Sequence, residues 1–343
     1  MTTVPPQASI GSSAACLLTR DPFRVKSGRT SVLRTAINAL LARFDQVNCF
    51  VFEPPPASPD QVPAVNRASF TYLGSPSPFR SPISKCGQFA CGKSLNETLF
   101  YDGGTVRRIK SEIPEQTKLV YCDSIRLAQY AASIEIPWIL DMDDLLSARF
   151  RQFADGNKTN VTQILGHFAS VIPKPLISAL SPMIRPMLAL ESKRLLKQEN
   201  FWANEATQVS LVSSDEATSL AIRTGRNVHS LPMSVPDVDM NRCWATKTWN
   251  STEPLRVAFV GYLAYKPNIE AIEHLASTLI PALNEQGINC EVSVIGSLEN
   301  VVVPQSAMCC EQIKFLGFVD SLNESFDSQH AFIAPILTGT GVK

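Results

Sequence analysis

No run of about 18 consecutive apolar residues occurs in this chain of 343 residues, so no stretch of it reads as a membrane-spanning helix. No charged n-region followed by an apolar h-region opens it, and the chain is expected to be cytoplasmic, or peripheral at the inner face of the membrane. Neither sign of charge is in excess: Lys plus Arg and Asp plus Glu number 31 each, which leaves no global electrostatic footprint for nucleic acid. The nine cysteines contain no CxxC pair, and none of the four histidines has neighbours at metal-ligand spacing. The cysteines therefore read as buried, reduced thiols rather than a zinc site. His274 and His330 read as structural. No GxGxxG follows the first apolar run, which argues against a nicotinamide or flavin site. Internal repeats are also missing.

What is present is core-forming material: 45% hydrophobic and 18% charged residues, in a chain long enough for two α/β domains. After a loose polar tail over 1–12, Ala14–Leu18 reads as the first strand. Leu33, Ala36, Ile37, Leu40, Leu41 and Phe44 then step by three and four along one helix face. Val47–Phe52 is the second strand, which makes a βαβ opening. Gly28 lies in the turn between, as a turn glycine or as part of a ligand loop. Residues 54–96 are rich in proline and serine and read as a long irregular excursion. Lys118–Cys122 is a strand ended by Asp123, and Ser124 caps the helix that follows. Pro137–Leu140 is another buried strand, ending in Asp141-Met-Asp-Asp144.

Carboxylates at the C-terminal ends of parallel strands stand where open α/β sheets bind ligands. Three acids in four residues also repel one another unless a partner is supplied. Asp123, Asp141, Asp143 and Asp144 thus divide between solvated acids at a helix start and groups that touch a ligand. Residues 145–204 read as helical, interrupted by Pro173, Pro175, Pro182 and Pro186, with apolar residues interleaved among cations. That pattern suits a peripheral membrane contact or an ordinary packed helix with a solvated basic face. Gln208–Val212 is a strand, Ser213 with Glu216 a capping box, and Val228–Leu231 a further strand.

Beyond a linker over 236–254, Leu255 begins a second domain. Its chemistry concentrates in Ala331-Phe-Ile-Ala-Pro-Ile-Leu-Thr-Gly-Thr-Gly-Val-Lys343. An apolar run reads as a buried parallel strand, and Gly339 and Gly341 around Thr340 allow close backbone approach to a ligand. A helix starting beyond Lys343 would turn its free N–H groups to a phosphate. Alone, the turn and a solvated lysine explain the segment equally well. In order come Arg256-Val-Ala-Phe-Val-Gly261, Lys266-Pro-Asn268 opening a helix that Asn268 caps, Glu291-Val-Ser-Val-Ile-Gly296, Ile313-Lys-Phe-Leu-Gly-Phe-Val319 and Ala334–Lys343. This series resembles the C-terminal, donor-binding domain of group 1 (family 4 type) GT-B glycosyltransferases. The likeness covers roughly residues 255–343 and extends more loosely over the first 235.

The resemblance implies an α/β protein of two Rossmann-like domains facing a cleft, an acceptor-side domain over 13–235 and a nucleotide-sugar-binding domain over 255–343, the second incomplete. It implies a retaining hexosyltransferase that moves a sugar from a nucleotide-sugar to a glycan or lipid-linked saccharide in polysaccharide or cell-envelope glycan biosynthesis. Gly28, Gly339, Thr340, Gly341 and Lys343 would bind the donor diphosphate, with no metal or other cofactor. Asp143 stands where the family's histidine borders the sugar and is the catalytic candidate; Asp123, Asp141 and Asp144 are acceptor-side candidates. Tyr262 replaces an arginine that serves the diphosphate in the family, and that contact is lost or passes to Lys266. The family's E-x7-E pair falls outside the sequence, so weak donor binding and little turnover are expected of these residues alone. A non-catalytic binding or scaffold protein of this fold, or a GT-B epimerase, are the alternatives.

Overall fold

The computed structural model describes residues 11–24, 28–58, 62–76, 82–155, 174–232, 249–298 and 301–337. The described residues divide into two compact units, 11–232 and 249–337.

In the first unit, β1 (Ser13–Leu18) is buried at every position and is followed by α1 (Gly28–Leu41) and β2 (Gln46–Val51). Both strands pair in parallel, Ala14 to Leu18 against Val47 to Val51. β3 (Ala68–Tyr72) adds beside β2, while β4 (Thr117–Asp123), β5 (Trp138–Asp141), β6 (Gln208–Leu211) and β7 (Val228–Ser230) extend the sheet the other way. The strand order is β3-β2-β1-β4-β5-β6-β7, parallel throughout. Its direction of growth reverses between β1 and β4. Side chains alternate across the pleat, so β1 serves two cores. Ala14, Cys16 and Leu18 meet Leu33 and Ile37 of α1 on one face. Ala15 and Leu17 meet Val120, Cys122, Ile125 and Leu140 on the other.

The segment read as irregular holds structure after all. Besides β3, it contains α2 (Pro82–Ala90) and the start of α3 (Leu95–Phe100). β3 escaped the pattern because its residues are only partly buried and lack clean alternation. α3 starts on a long-range cap: Glu191 accepts from the backbone N–H of Leu95 at 2.8 Å and of Asn96 at 3.0 Å. α4 (Gly103–Glu112) and α5 (Ala128–Ser133), the latter entered through a 3-10 turn at Ile125–Leu127, flank β4.

α6 (Leu146–Asp155) packs on α7 (Lys174–Glu205), in which Pro182 and Pro186 lie inside one helix rather than ending it. A proline costs a helix one hydrogen bond, and tertiary packing outweighs that cost here. α7 buries Leu188, Leu195 and Trp202 and exposes Met187, Leu190, Leu196 and Phe201. Among the described residues no helix is long and apolar enough to cross a membrane. α8 (Ser214–Thr224) closes on Gly225 in the left-handed region.

The second unit is a four-stranded parallel sheet of order β10-β9-β8-β11, made of β8 (Leu255–Val260), β9 (Cys290–Ile295), β10 (Ile313–Gly317) and β11 (Ala331–Phe332). α9 (Lys266–His274) runs through a π turn at Leu275–Leu279 into α10 (Ile280–Glu285), and α11 (Gln305–Met308) and α12 (Leu322–Asp327) are short. Phe259, Ile272, Leu275, Val292 and Val294 form its core. Two local expectations change. Asn268 does not cap α9: Tyr265 is the N-cap, Pro267 sets the first turn, and the buried Asn268 amide instead donates to the Tyr262 carbonyl at 2.7 Å. The strand expected to be buried over 331–336 is parallel to β8 but two residues long and exposed. It stands at the sheet edge, and Pro335 has no N–H with which to extend the ladder. Both units are Rossmann-like, and the architecture is α/β.

Candidate functional site

In a doubly wound sheet the ends of the strands on either side of the reversal form a natural crevice. Here those strands are β1 and β4, and a buried cation occupies the place. Arg29, in the first turn of α1, is 8% exposed at its side chain and reaches three carboxylates. It donates through Nε to Asp123 Oδ1 at 3.0 Å, with Nη2 on the same oxygen. Nη1 donates to Asp141 Oδ2 at 3.1 Å and to Asp143 Oδ1 at 3.3 Å. The partner that the acid cluster required is therefore Arg29. Nothing in its own segment, Gly28-Arg29-Thr30, sets this arginine apart. Three strand-end acids implied a cation, but nothing local said which.

Each carboxylate has its own surroundings. Asp123 is 1% exposed and also accepts from the Thr19 N–H at 2.9 Å and from the Thr19 hydroxyl. Burial presses its carboxyl upward, but the Arg29 charge and the Thr19 hydrogen bonds together outweigh burial and hold it below the usual range. Asp141 accepts from the Tyr121 hydroxyl and, at 3.1 Å, from the Asp143 N–H. Burial and the Asp141 charge drive the Tyr121 phenol upward, so it stays a donor.

Asp143 differs from both. Its side chain is 39% exposed, it is the most distant of the three carboxylates on Arg29, and its backbone lies in the left-handed region at φ 66°. Such a conformation is uncommon outside glycine, and Asp and Asn tolerate it best. The backbone is held there by Val212 N–H donating to the Asp143 carbonyl at 3.1 Å. Burial raises the Asp143 carboxyl against the pull of Arg29, and Asp144, Asp123 and Asp141 add to the rise. Asp144 turns instead to Arg149 of α6 and is buried.

The four aspartates singled out from the sequence thus lie at the ends of β4 and β5, three of them on one guanidinium. Gly28 is exposed and opens α1, one residue before Arg29. Gly339, Thr340, Gly341 and Lys343 lie outside the described residues.

Ser213 caps α8 as read, accepting from the Glu216 N–H, but Glu216 does not return the bond. Its carboxylate accepts from the Leu145 N–H at 3.3 Å, tying α8 to the loop after β5. Burial, and then the Asp144 charge, push the Glu216 carboxyl up to about 7. A carboxylate raised on folding weakens the fold once it ionises, so stability should fall as pH rises from the unfolded value of about 4.3 through 7. Glu216→Gln keeps the acceptor oxygen and removes the charge. It should melt with wild type below about pH 4.5 and above it past neutrality. Identical melting curves across that range would refute the assignment.

The second unit presents a separate strand-end surface. Tyr262 is 68% exposed just beyond β8, and Lys266 pairs with Glu270 at 3.2 Å. Gly261 and Gly296, at the ends of adjacent strands, touch backbone to backbone: a Cβ on Gly296 would fall on the Gly261 carbonyl oxygen. A Cβ on Gly261 would lie 2.6 Å from the Asn268 amide nitrogen. Both glycines are therefore required by packing at these strand ends. Among the described residues no three His, Cys, Asp or Glu side chains group as a metal site, and the described cysteines are free thiols.

No protein-family model and no curated protein matches the chain. Solved structures do. The catalytic domain of starch synthase IV from Arabidopsis thaliana, bound to ADP and acarbose, superposes with a TM-score of 0.50 at 10% identity, over 95% of this chain and 78% of that one. UGT2 of Phytolacca americana, complexed with UDP-2-fluoro-glucose and pterostilbene, gives 0.46 at 10% identity, over 95% and 76%. The trehalose 6-phosphate synthase of Burkholderia multivorans gives 0.46 at 11% identity, over 90% and 74%. At these identities the similarity concerns the fold, which is of the GT-B type.

Proposed function

We propose that the protein is a glycosyltransferase that moves a sugar, with retention, from a nucleotide-sugar to a hydroxyl of a glycan or lipid-linked saccharide. The observation that carries this reading is Asp143. It is the one carboxylate at the switch point that is both solvent-accessible and loosely paired, on a strained backbone, with its proton affinity raised by burial. A general base is most effective when its pKa approaches the working pH. In the proposed reaction the bond to the nucleoside diphosphate breaks, the acceptor oxygen bonds to the anomeric carbon on the same face, which retains its configuration, and the acceptor proton passes to Asp143. Lys343, the Thr340 and Gly341 N–H groups and the Gly28 loop would take the charge developing on the leaving group, without a metal.

Asp143→Asn suits the left-handed backbone and removes the base. Measured in a chain extended through the rest of the donor-binding domain, turnover of a labelled nucleotide-sugar should fall by about 10²- to 10⁴-fold with the fold intact. Wild-type turnover in that variant would sink the assignment, and NMR of the product anomer tests retention.

A non-catalytic binding protein of the same fold is the second reading. It is favoured by the saturation of Asp123 and Asp141 by Arg29, Thr19 and Tyr121, which gives those two a structural role. Binding of the labelled nucleotide-sugar without its consumption would select it.

A further inference from the structure

Arg29 accounts for one cation at the strand ends of the first unit. Three more arginines stand along the same edge: Arg20 just past β1, Arg126 just past β4, and Arg149 near the start of α6, which follows β5. Because β1, β4 and β5 are consecutive in the sheet, the segments leaving them share one edge.

Each arginine is anchored differently. Arg149 pairs with Asp144. Arg126 donates through Nε to the Asn96 side-chain oxygen at 3.1 Å, a neutral partner that Glu191 in turn holds at 3.0 Å. Its guanidinium lies 5.5 Å from the centre of the Phe100 ring. Arg20 is fixed from both sides, since Thr19 is bound to Asp123 and the Asp21 N–H donates to Glu53 at 3.0 Å. Its own Nε is buried and has no hydrogen-bond partner among the described residues. A buried, unsatisfied charged donor is costly unless something completes it. The Arg126 guanidinium records the crowding: burial, and then the positive charges of Arg149 and Arg20, bring it down to about 10 despite Asp144. It stays cationic at neutral pH.

We propose that Arg20, Arg126 and Arg149 form an oxyanion site for a phosphate or carboxylate group carried by the acceptor. Planar guanidinium forks suit both oxyanions, and an anion would satisfy the Arg20 donor while relieving the repulsion around Arg126. The link to the acceptor rests on the transferase reading; the oxyanion site does not.

The test is calorimetric titration of the protein with inorganic phosphate, in the absence of donor, for wild type, Arg20→Ala and Arg126→Gln. Wild type should bind saturably, and each variant should bind about 10-fold more weakly or worse, as expected for loss of a charge-assisted contact. Arg20→Ala should fold as wild type does, because its side chain loses no hydrogen bond at Nε. Absence of saturable binding by wild type, or unchanged affinity in Arg20→Ala, overturns the site whatever the protein's activity. A sugar phosphate and a uronic acid, titrated separately, distinguish the two oxyanions. If Arg20→Ala weakens a nucleoside diphosphate and leaves the sugar phosphate and uronic acid untouched, the anion belongs to the donor and the acceptor assignment falls.

Discussion

Replacing Arg29 with Met should cost about 3–5 kcal/mol of stability at neutral pH, the usual consequence of stranding buried charges. Asp123 is 1% exposed and Asp141 5%, so neither can recover its hydration when the guanidinium goes. The deficit should depend on pH with a definite sign. In wild type the Asp123 carboxyl lies below its unfolded value. Its contribution is therefore fully present above the unfolded value of about 3.9 and lost as pH falls through the lowered folded one. In the variant burial acts without the compensating charge, so the acids take up protons on folding and the fold gains as pH drops. Urea unfolding at neutral pH and near pH 4 should show the two proteins converging in acid. A deficit of the same size at both would mean that Arg29 acts through packing rather than charge. Lys at the same position should recover only part of the loss, because one ammonium cannot reproduce a fork that serves three carboxylates.

Gly296→Ala should be comparably severe, about 3–5 kcal/mol, and confined to the second unit. Two costs add. The residue sits at φ 152°, where L side chains are strained, and its new methyl would meet the Gly261 carbonyl, whose carbon is only 3.1 Å from the built Cβ. Neither neighbour can yield cheaply. The Gly296 N–H is tied to the Gly317 carbonyl at 2.8 Å and the Gly261 N–H to the Ile295 carbonyl at 3.0 Å. Amide exchange should accelerate across β8, β9 and β10 while β1, β2 and β4 keep their protection. Uniform loosening of both units, or none, would contradict this account.

Much of the fold was legible because its signals are local. Ala14–Leu18, Val47–Phe52 and Lys118–Cys122 are short apolar runs bounded by turns, and they became the central parallel strands. The helical stripe through Leu33, Ile37 and Leu40 became the buried face of α1. β3 was not legible, since an edge strand packed by partly buried side chains carries no distinct period. Asn268 was misplaced for another reason. Its residue type favours a cap, but Pro267 started the helix earlier and left the amide to bind the Tyr262 carbonyl.

The same division runs through the site. The amino-acid sequence by itself determined that acids would crowd the ends of β4 and β5, because strand period and strand termini can be read from neighbouring residues. It also determined that so many carboxylates needed a cation. Only the tertiary structure decided that the cation is Arg29, which lies 94 residues from Asp123 and 114 from Asp143. It decided as well that Asp123 and Asp141 are consumed by that pairing while Asp143 stays accessible, and that the buried Arg20 Nε has no hydrogen-bond partner among the described residues. Charge pairing is set by distance in space. The strand order that brings β1 beside β4 is a property of the folded sheet and appears in no single segment of the chain.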